Sequence, residues 1–202
     1  YNSAKMTLEE VLEVMLRDVR EDKQVVRLHT GDPCLYGAIR EQMDVLDEEK
    51  IPYDYCPGVS SFCGAASALN LEYTLPEISQ SVIITRMAGR TPVPEKESIE
   101  SFAAHHATMV VFLSTGLLEE LSRRLIDGGY SADTPAAIVY KATWEDEKSF
   151  VCTVGTLAET AKKNNITKTA LMIIGDVVNC SHYDRSKLYD PGFTTEFREA
   201  SK

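Results

Sequence analysis

The stretch Val25-Val26-Arg27-Leu28-His29-Thr30-Gly31-Asp32-Pro33-Cys34-Leu35-Tyr36-Gly37 is the most informative in the chain. Its apolar start reads as a strand ending at His29. Gly31 and Pro33 then break the pattern, and a helix carrying Ile39, Met43 and Leu46 on its inner face follows. By spacing alone, Gly-Asp-Pro is ordinary turn chemistry. No Gly-Lys-Ser/Thr follows it, so it is not a P-loop, and the chain has no Gly-x-Gly-x-x-Gly fingerprint. What remains is a tight turn that offers backbone amides and one carboxylate at a strand end. Open α/β sheets bind ligands at such ends.

The same alternation continues in both directions. Upstream, Leu8, Val11, Leu12, Met15, Leu16 and Val19 share one face of a helix over Thr7 to Glu21, and Thr7 with Glu10 forms a capping box. Downstream, Tyr53 to Cys56 reads as a short strand and Pro57-Gly58 as a turn. Ser60 or Ser61 can cap a helix of small residues (Gly64 to Ala68) able to approach a sheet closely. Leu71 to Gln80, with Pro76, has neither period and reads as a linker. Beyond it, strands are expected at Val82–Ile84, Met109–Leu113, Ala136–Tyr140, Phe150–Val154 and Ala170–Ile174, the third and fourth pairing antiparallel. Helices are expected near 97–106, 117–127 and 156–164. Strands alternating with helices define the class as α/β, in two lobes of residues 1–76 and 77–202.

Composition narrows the partners. Lys and Arg number 21 against 31 Asp and Glu, a formal charge of −10 that repels phosphate backbones and argues against nucleic acid. No run approaches the roughly 20 apolar residues of a membrane helix, so no membrane partner and a cytoplasmic location are expected. Five cysteines without a C-x-x-C pair fit reduced thiols better than disulfides or zinc. His105 and His106 are adjacent and would diverge by about 100° on a helix, so no metal site is expected.

Two further loops stand out. Pro57-Gly58-Val59-Ser60-Ser61 places hydroxyls at a helix start, where capping alone would explain them. Arg86 and Arg90 flank Gly89 in a loop holding Pro92 and Pro94. A stiffened pair of guanidiniums can make planar contacts with carboxylates, although exposed charges are commonly just solvated.

Together these loops resemble the tetrapyrrole methyltransferases, through Gly31-Asp32-Pro33-Cys34-Leu35-Tyr36-Gly37 followed by Pro57-Gly58-Val59-Ser60-Ser61. Thr85 to Glu95, Val139-Tyr140-Lys141-Ala142-Thr143-Trp144 and Arg185 to Asp190 look like the branch that methylates carbon 11 of precorrin-4 or cobalt-precorrin-4. The resemblance implies a two-lobed α/β fold, a homodimer, a tetrapyrrole substrate, and S-adenosylmethionine as methyl donor in a cleft on which the loops converge. It implies cofactor contacts at Thr30, Gly31, Asp32, Leu35, Tyr36, Ser60, Ser61, Leu113 and Ala142. Charge and location add Arg86, Arg90 and Lys141 as partners for substrate carboxylates, with Lys96 and Lys148 helping to form a local positive field.

Family members begin with a strand, a Gly-x-Gly-Pro-Gly-Asp loop, a helix and a further strand, and none of this unit is present in these 202 residues. The expectation is that this stretch alone lacks methyltransferase activity. No general base is nominated, and Asp32 reads better as a loop or cofactor residue than as a catalyst. The rivals are another tetrapyrrole methylase of the same fold and a non-catalytic tetrapyrrole-binding fragment.

Overall fold

The computed structural model describes residues 1–201, which form two compact units divided between Ser61 and Phe62. The division lies at Ser61–Phe62, earlier than the Pro76 linker suggested by the sequence. The cause is visible around Thr108, whose hydroxyl donates to the Tyr73 carbonyl (2.9 Å) and whose amide donates to Ser79 Oγ (3.0 Å). The 71–80 segment is therefore hydrogen-bonded to the start of a buried strand.

In the first unit, helix α1 (Leu8–Arg20) starts at the expected capping box, with Thr7 and Glu10 bonding each other's backbone. Helix α2 (Arg40–Glu48) buries Leu46. The strands expected at Val25–His29 and Tyr53–Cys56 are not formed. Burial does alternate from Val25 to His29, as a strand pattern requires, but no neighbouring strand among the described residues accepts the amides, and Val26 and Leu28 remain exposed.

The second unit holds a five-stranded sheet in the order β1-β2-β5-β3-β4, with β1 Val82–Arg86, β2 Thr108–Phe112, β3 Pro135–Tyr140, β4 Lys148–Thr153 and β5 Ala170–Ile174. Strands β1 and β2 are parallel, while β5 runs antiparallel to both β2 and β3, and β4 antiparallel to β3. Strands β2 and β5 are buried along their whole length, which is why they read as unbroken apolar runs and not as alternation. Helices α4 (Ile99–Ala103), α5 (Leu118–Asp127) and α6 (Leu157–Lys163) supply Ile99, Leu121, Leu125 and Leu157 to the core, against Met109, Val111, Ile138 and Met172. Helix α3 (Ser61–Ala68) precedes the sheet. Among the described residues, no helix is long and apolar enough to cross a membrane.

This topology sets up the chemistry. The registers place Arg86 beside Phe112 and Tyr140 beside Ala170, with Val111 opposite Met172. The carboxyl ends of β1, β2 and β3 therefore lie along one edge of the sheet, together with the amino end of β5.

Candidate functional site

In the first unit, Asp32 joins two of the loops singled out by sequence. Its Oδ1 accepts from the Cys34 amide (2.9 Å) and from the Tyr55 hydroxyl, and its Oδ2 accepts from the Gly58 amide (2.9 Å). Donation from Tyr55 first, and from Cys34 next, holds this carboxyl well below the usual carboxylate range; in return the Tyr55 hydroxyl is pushed up to about 12. A carboxylate so fully engaged is a poor proton acceptor near neutrality. It ties the Gly31–Tyr36 loop to the Pro57-Gly58 turn, in line with the sequence reading of Asp32.

The glycines permit that closeness. A Cβ on Gly58 would lie 2.1 Å from the Gly31 carbonyl oxygen, and Gly31 itself has φ +66° with Ser60 and Ser61 beside it. Thr30, Gly31, Asp32, Leu35, Ser60 and Ser61 thus belong to one loop cluster, with Tyr36 next in the chain and also left-handed (φ 59°). Ser60 is buried as a residue, yet its hydroxyl makes no hydrogen bond to another described residue. Such a hydroxyl, on a buried residue and without a protein partner, is able to bind a polar ligand.

In the second unit, Leu113, Ala142, Arg86 and Lys141 all sit at or just past the carboxyl ends of the strands. Leu113 takes φ 51° and turns its side chain outward, 73% exposed. Lys141 (48°), Thr143 (71°) and Thr169 (57°) on the same edge are also left-handed. The conformation costs most for a β-branched residue such as Thr143, and strain of this type concentrates where ligands are handled. Gly64 of α3 approaches the same loop, where a Cβ would lie 2.8 Å from Thr143 Cγ2. That contact is the use of the small-residue helix.

One of the proposed cations differs from expectation. The Arg86 guanidinium donates to the carbonyls of Met87 (3.1 Å), Thr91 (3.2 Å) and Pro92 (2.8 Å), so it braces its own loop and does not project for a carboxylate. Arg90, in that braced loop, is exposed and unpaired among the described residues. Lys141 pairs with Asp146 (2.6 Å), and Asp146 and Tyr140 push its pKa up. Lys148, opposite Tyr140 in the β3–β4 register, is exposed at this edge as well.

The sequence reading missed Ser114. Its buried hydroxyl accepts from the Met87 amide (2.8 Å) and donates to the Phe112 carbonyl (2.6 Å), locking the ends of β1 and β2 together. The only signal was a serine directly after an apolar strand, which is too common to read.

Residues 1–158 match the tetrapyrrole (corrin/porphyrin) methylases. The chain belongs to that family. This methylase is 50% identical, over all of its own length and 78% of the relative's, to a cobalt-precorrin-4 C(11)-methyltransferase of Methanocaldococcus jannaschii. The X-ray structure of a cobalamin biosynthetic enzyme, cobalt precorrin-4 methyltransferase, matches it with a TM-score of 0.87 at 44% identity, covering 89% of this chain and 75% of that one. A uroporphyrin-III C-methyltransferase from Thermus thermophilus, complexed with S-adenyl homocysteine, matches with a TM-score of 0.71 at 25% identity, covering 85% and 74%. The methylase is thus a methyltransferase by family, and its mixed sheet with packed helices is the family's fold.

Proposed function

We propose that this methylase transfers the methyl group of S-adenosylmethionine to carbon 11 of cobalt-precorrin-4 in cobalamin biosynthesis. The observation that carries the reading is the 50% identity to a cobalt-precorrin-4 C(11)-methyltransferase across every one of the 202 residues. It includes the loops whose geometry Asp32 fixes. A cofactor of the S-adenosylmethionine type is supported by the family and by the product-like ligand in the uroporphyrin-III enzyme.

When bound, S-adenosylmethionine supplies a methyl already activated by its sulfonium, so the chain's task is positioning and exclusion of water. Thr30, Gly31, Leu35 and Tyr36 would contact the cofactor, with Ser60 and Ser61 offering hydroxyls and Leu113 and Ala142 apolar lining. Asp32 would hold the loop in its binding shape. Arg90 and Lys141, with Lys148 nearby, would meet the substrate's carboxylates. Arg86 shapes the loop that presents Arg90.

The reading is checked by incubating the protein with S-adenosylmethionine and cobalt-precorrin-4, precorrin-4 or uroporphyrinogen III separately. The expected result is a gain of one methyl on cobalt-precorrin-4 at the highest kcat/KM. Preferential methylation of uroporphyrinogen III would favour the rival methylase. Binding of the tetrapyrrole without turnover would favour the non-catalytic fragment.

A further inference from the structure

We propose that Trp144 is a stacking platform for the conjugated face of the tetrapyrrole, electronically tuned by Lys141. This rests on the functional reading above but goes beyond it, since it assigns a recognition residue and a contact type.

Trp144 is the sole tryptophan of the chain and is 58% exposed. It lies in the loop leaving β3, on the same sheet edge as Arg86 and Leu113. An exposed indole would be unremarkable on a mobile loop, but this loop is held at many points. The Trp144 amide donates to the Lys141 carbonyl (3.0 Å), and the Glu147 amide donates to the Trp144 carbonyl (3.1 Å). The Thr143 amide donates to Glu147 Oε2 (2.5 Å), and the Lys141 amide to the Thr169 carbonyl (2.9 Å). Left-handed backbone at Lys141 and Thr143 sets the turn. The ordering cost of presenting the indole is therefore met before any ligand arrives, as a preorganised contact requires.

The neighbour on the ring specifies the partner. Lys141 Nζ sits 5.2 Å from the Trp144 centroid and 5.2 Å from the Tyr140 centroid, its charge retained by the ion pair with Asp146. A cation against one face of an indole draws π density toward itself and leaves the other face less negative. Such a face stacks best on an electron-rich ring. A pyrrole-derived carbon that is to attack a sulfonium methyl belongs to an electron-rich system, whereas the adenine of the cofactor is comparatively electron-poor.

The test is calorimetric titration of the purified protein and its W144A, W144F and K141M variants with uroporphyrin III, and separately with S-adenosylhomocysteine, with melting curves confirming folding. Trp144→Ala should weaken uroporphyrin affinity about tenfold or more, the scale of a lost aromatic stack. Trp144→Phe should stay within a few-fold of the parent, and neither change should move S-adenosylhomocysteine affinity. Lys141→Met should weaken uroporphyrin binding more in the parent than when Trp144 is already alanine, the difference being the part that acts through the indole and the remainder its own contact with carboxylates. Unchanged uroporphyrin affinity in Trp144→Ala, with a parent that binds, overturns the stacking proposal and leaves the functional reading standing. A selective loss of S-adenosylhomocysteine affinity in that variant assigns the indole to the cofactor and equally overturns it. A parent that binds no uroporphyrin III yet methylates cobalt-precorrin-4 overturns the stacking proposal and leaves the functional reading standing, whereas a parent that does neither sinks both.

Discussion

Asp32 shows how one side chain can be legible in its place and less so in its role. The motif marked it as a loop residue, but only in the folded chain are both its oxygens seen to be engaged, by Cys34, Tyr55 and Gly58. Tyr55, 23 residues away in sequence, belonged to none of the recognisable loops. If Asp32 is a clamp, Asp32→Asn should reduce S-adenosylhomocysteine affinity by about tenfold, the worth of one or two weakened charge-assisted bonds. Turnover at saturating cofactor should then largely recover, whereas loss of turnover with intact binding would make Asp32 a catalytic base. Its depressed folded pKa also has a sign. The stabilisation is present above the unfolded carboxyl value near 4 and is lost as pH falls through it toward the folded value. Melting temperature followed across the acid range should therefore fall less steeply in Asp32→Asn than in the parent. Arg86 is the contrary case: composition and location nominated it for substrate carboxylates, and three carbonyls of its own loop hold it instead. No sequence pattern distinguishes a guanidinium that bridges its own turn from one that reaches outward.

Elements were legible where local physics sets them and opaque where a neighbour does. Helix α1 follows from its apolar stripe and its Thr7–Glu10 box, both of which are local. The five strands of the second unit were all foreseen within a residue or two, because short buried apolar runs such as Met109–Phe112 and Ala170–Ile174, set between turn residues, read as strands. Val25–His29 has an equally good strand pattern and forms none, since a strand exists only by its partner's hydrogen bonds. Of the sheet order, only the antiparallel pairing of β3 with β4 was legible; the places of β1, β2 and β5 were not. At this scale the joint between β1 and β2 depends on Ser114. Ser114→Ala would strand the buried Met87 amide, a loss of roughly 1–3 kcal/mol. For a domain of this size the melting temperature should fall by several degrees. A melting curve superimposable on the parent's would show that water or a neighbour replaces the hydroxyl.

For the whole molecule, the charge balance poses the sharpest question. A chain of net charge −10 is read as taking up a substrate that carries many carboxylates. On the proposed reading two fields compete: the global negative one, and a local positive one that Arg90, Lys141 and Lys148 would have to supply, with Lys141 already paired to Asp146. Added salt screens both, so the direction of the effect identifies the stronger. If the local cations steer the substrate, its KM should rise several-fold as ionic strength increases from about 0.01 to 0.15 M, the range over which the screening length shrinks to about 8 Å. A KM that falls would mean the global repulsion wins and that these cations are not the docking groups.

The site of methylation separates this reading from every other activity of the fold. S-adenosylmethionine carrying a carbon-13 methyl would be supplied with cobalt-precorrin-4 to the protein made from the natural reading frame that contains these residues. The product would then be mapped by carbon-13 NMR. The expected spectrum has a single enriched methyl, correlated to carbon 11 of the macrocycle. Enrichment at any other ring carbon, or a tetrapyrrole recovered unlabelled beside bound cofactor, would contradict it.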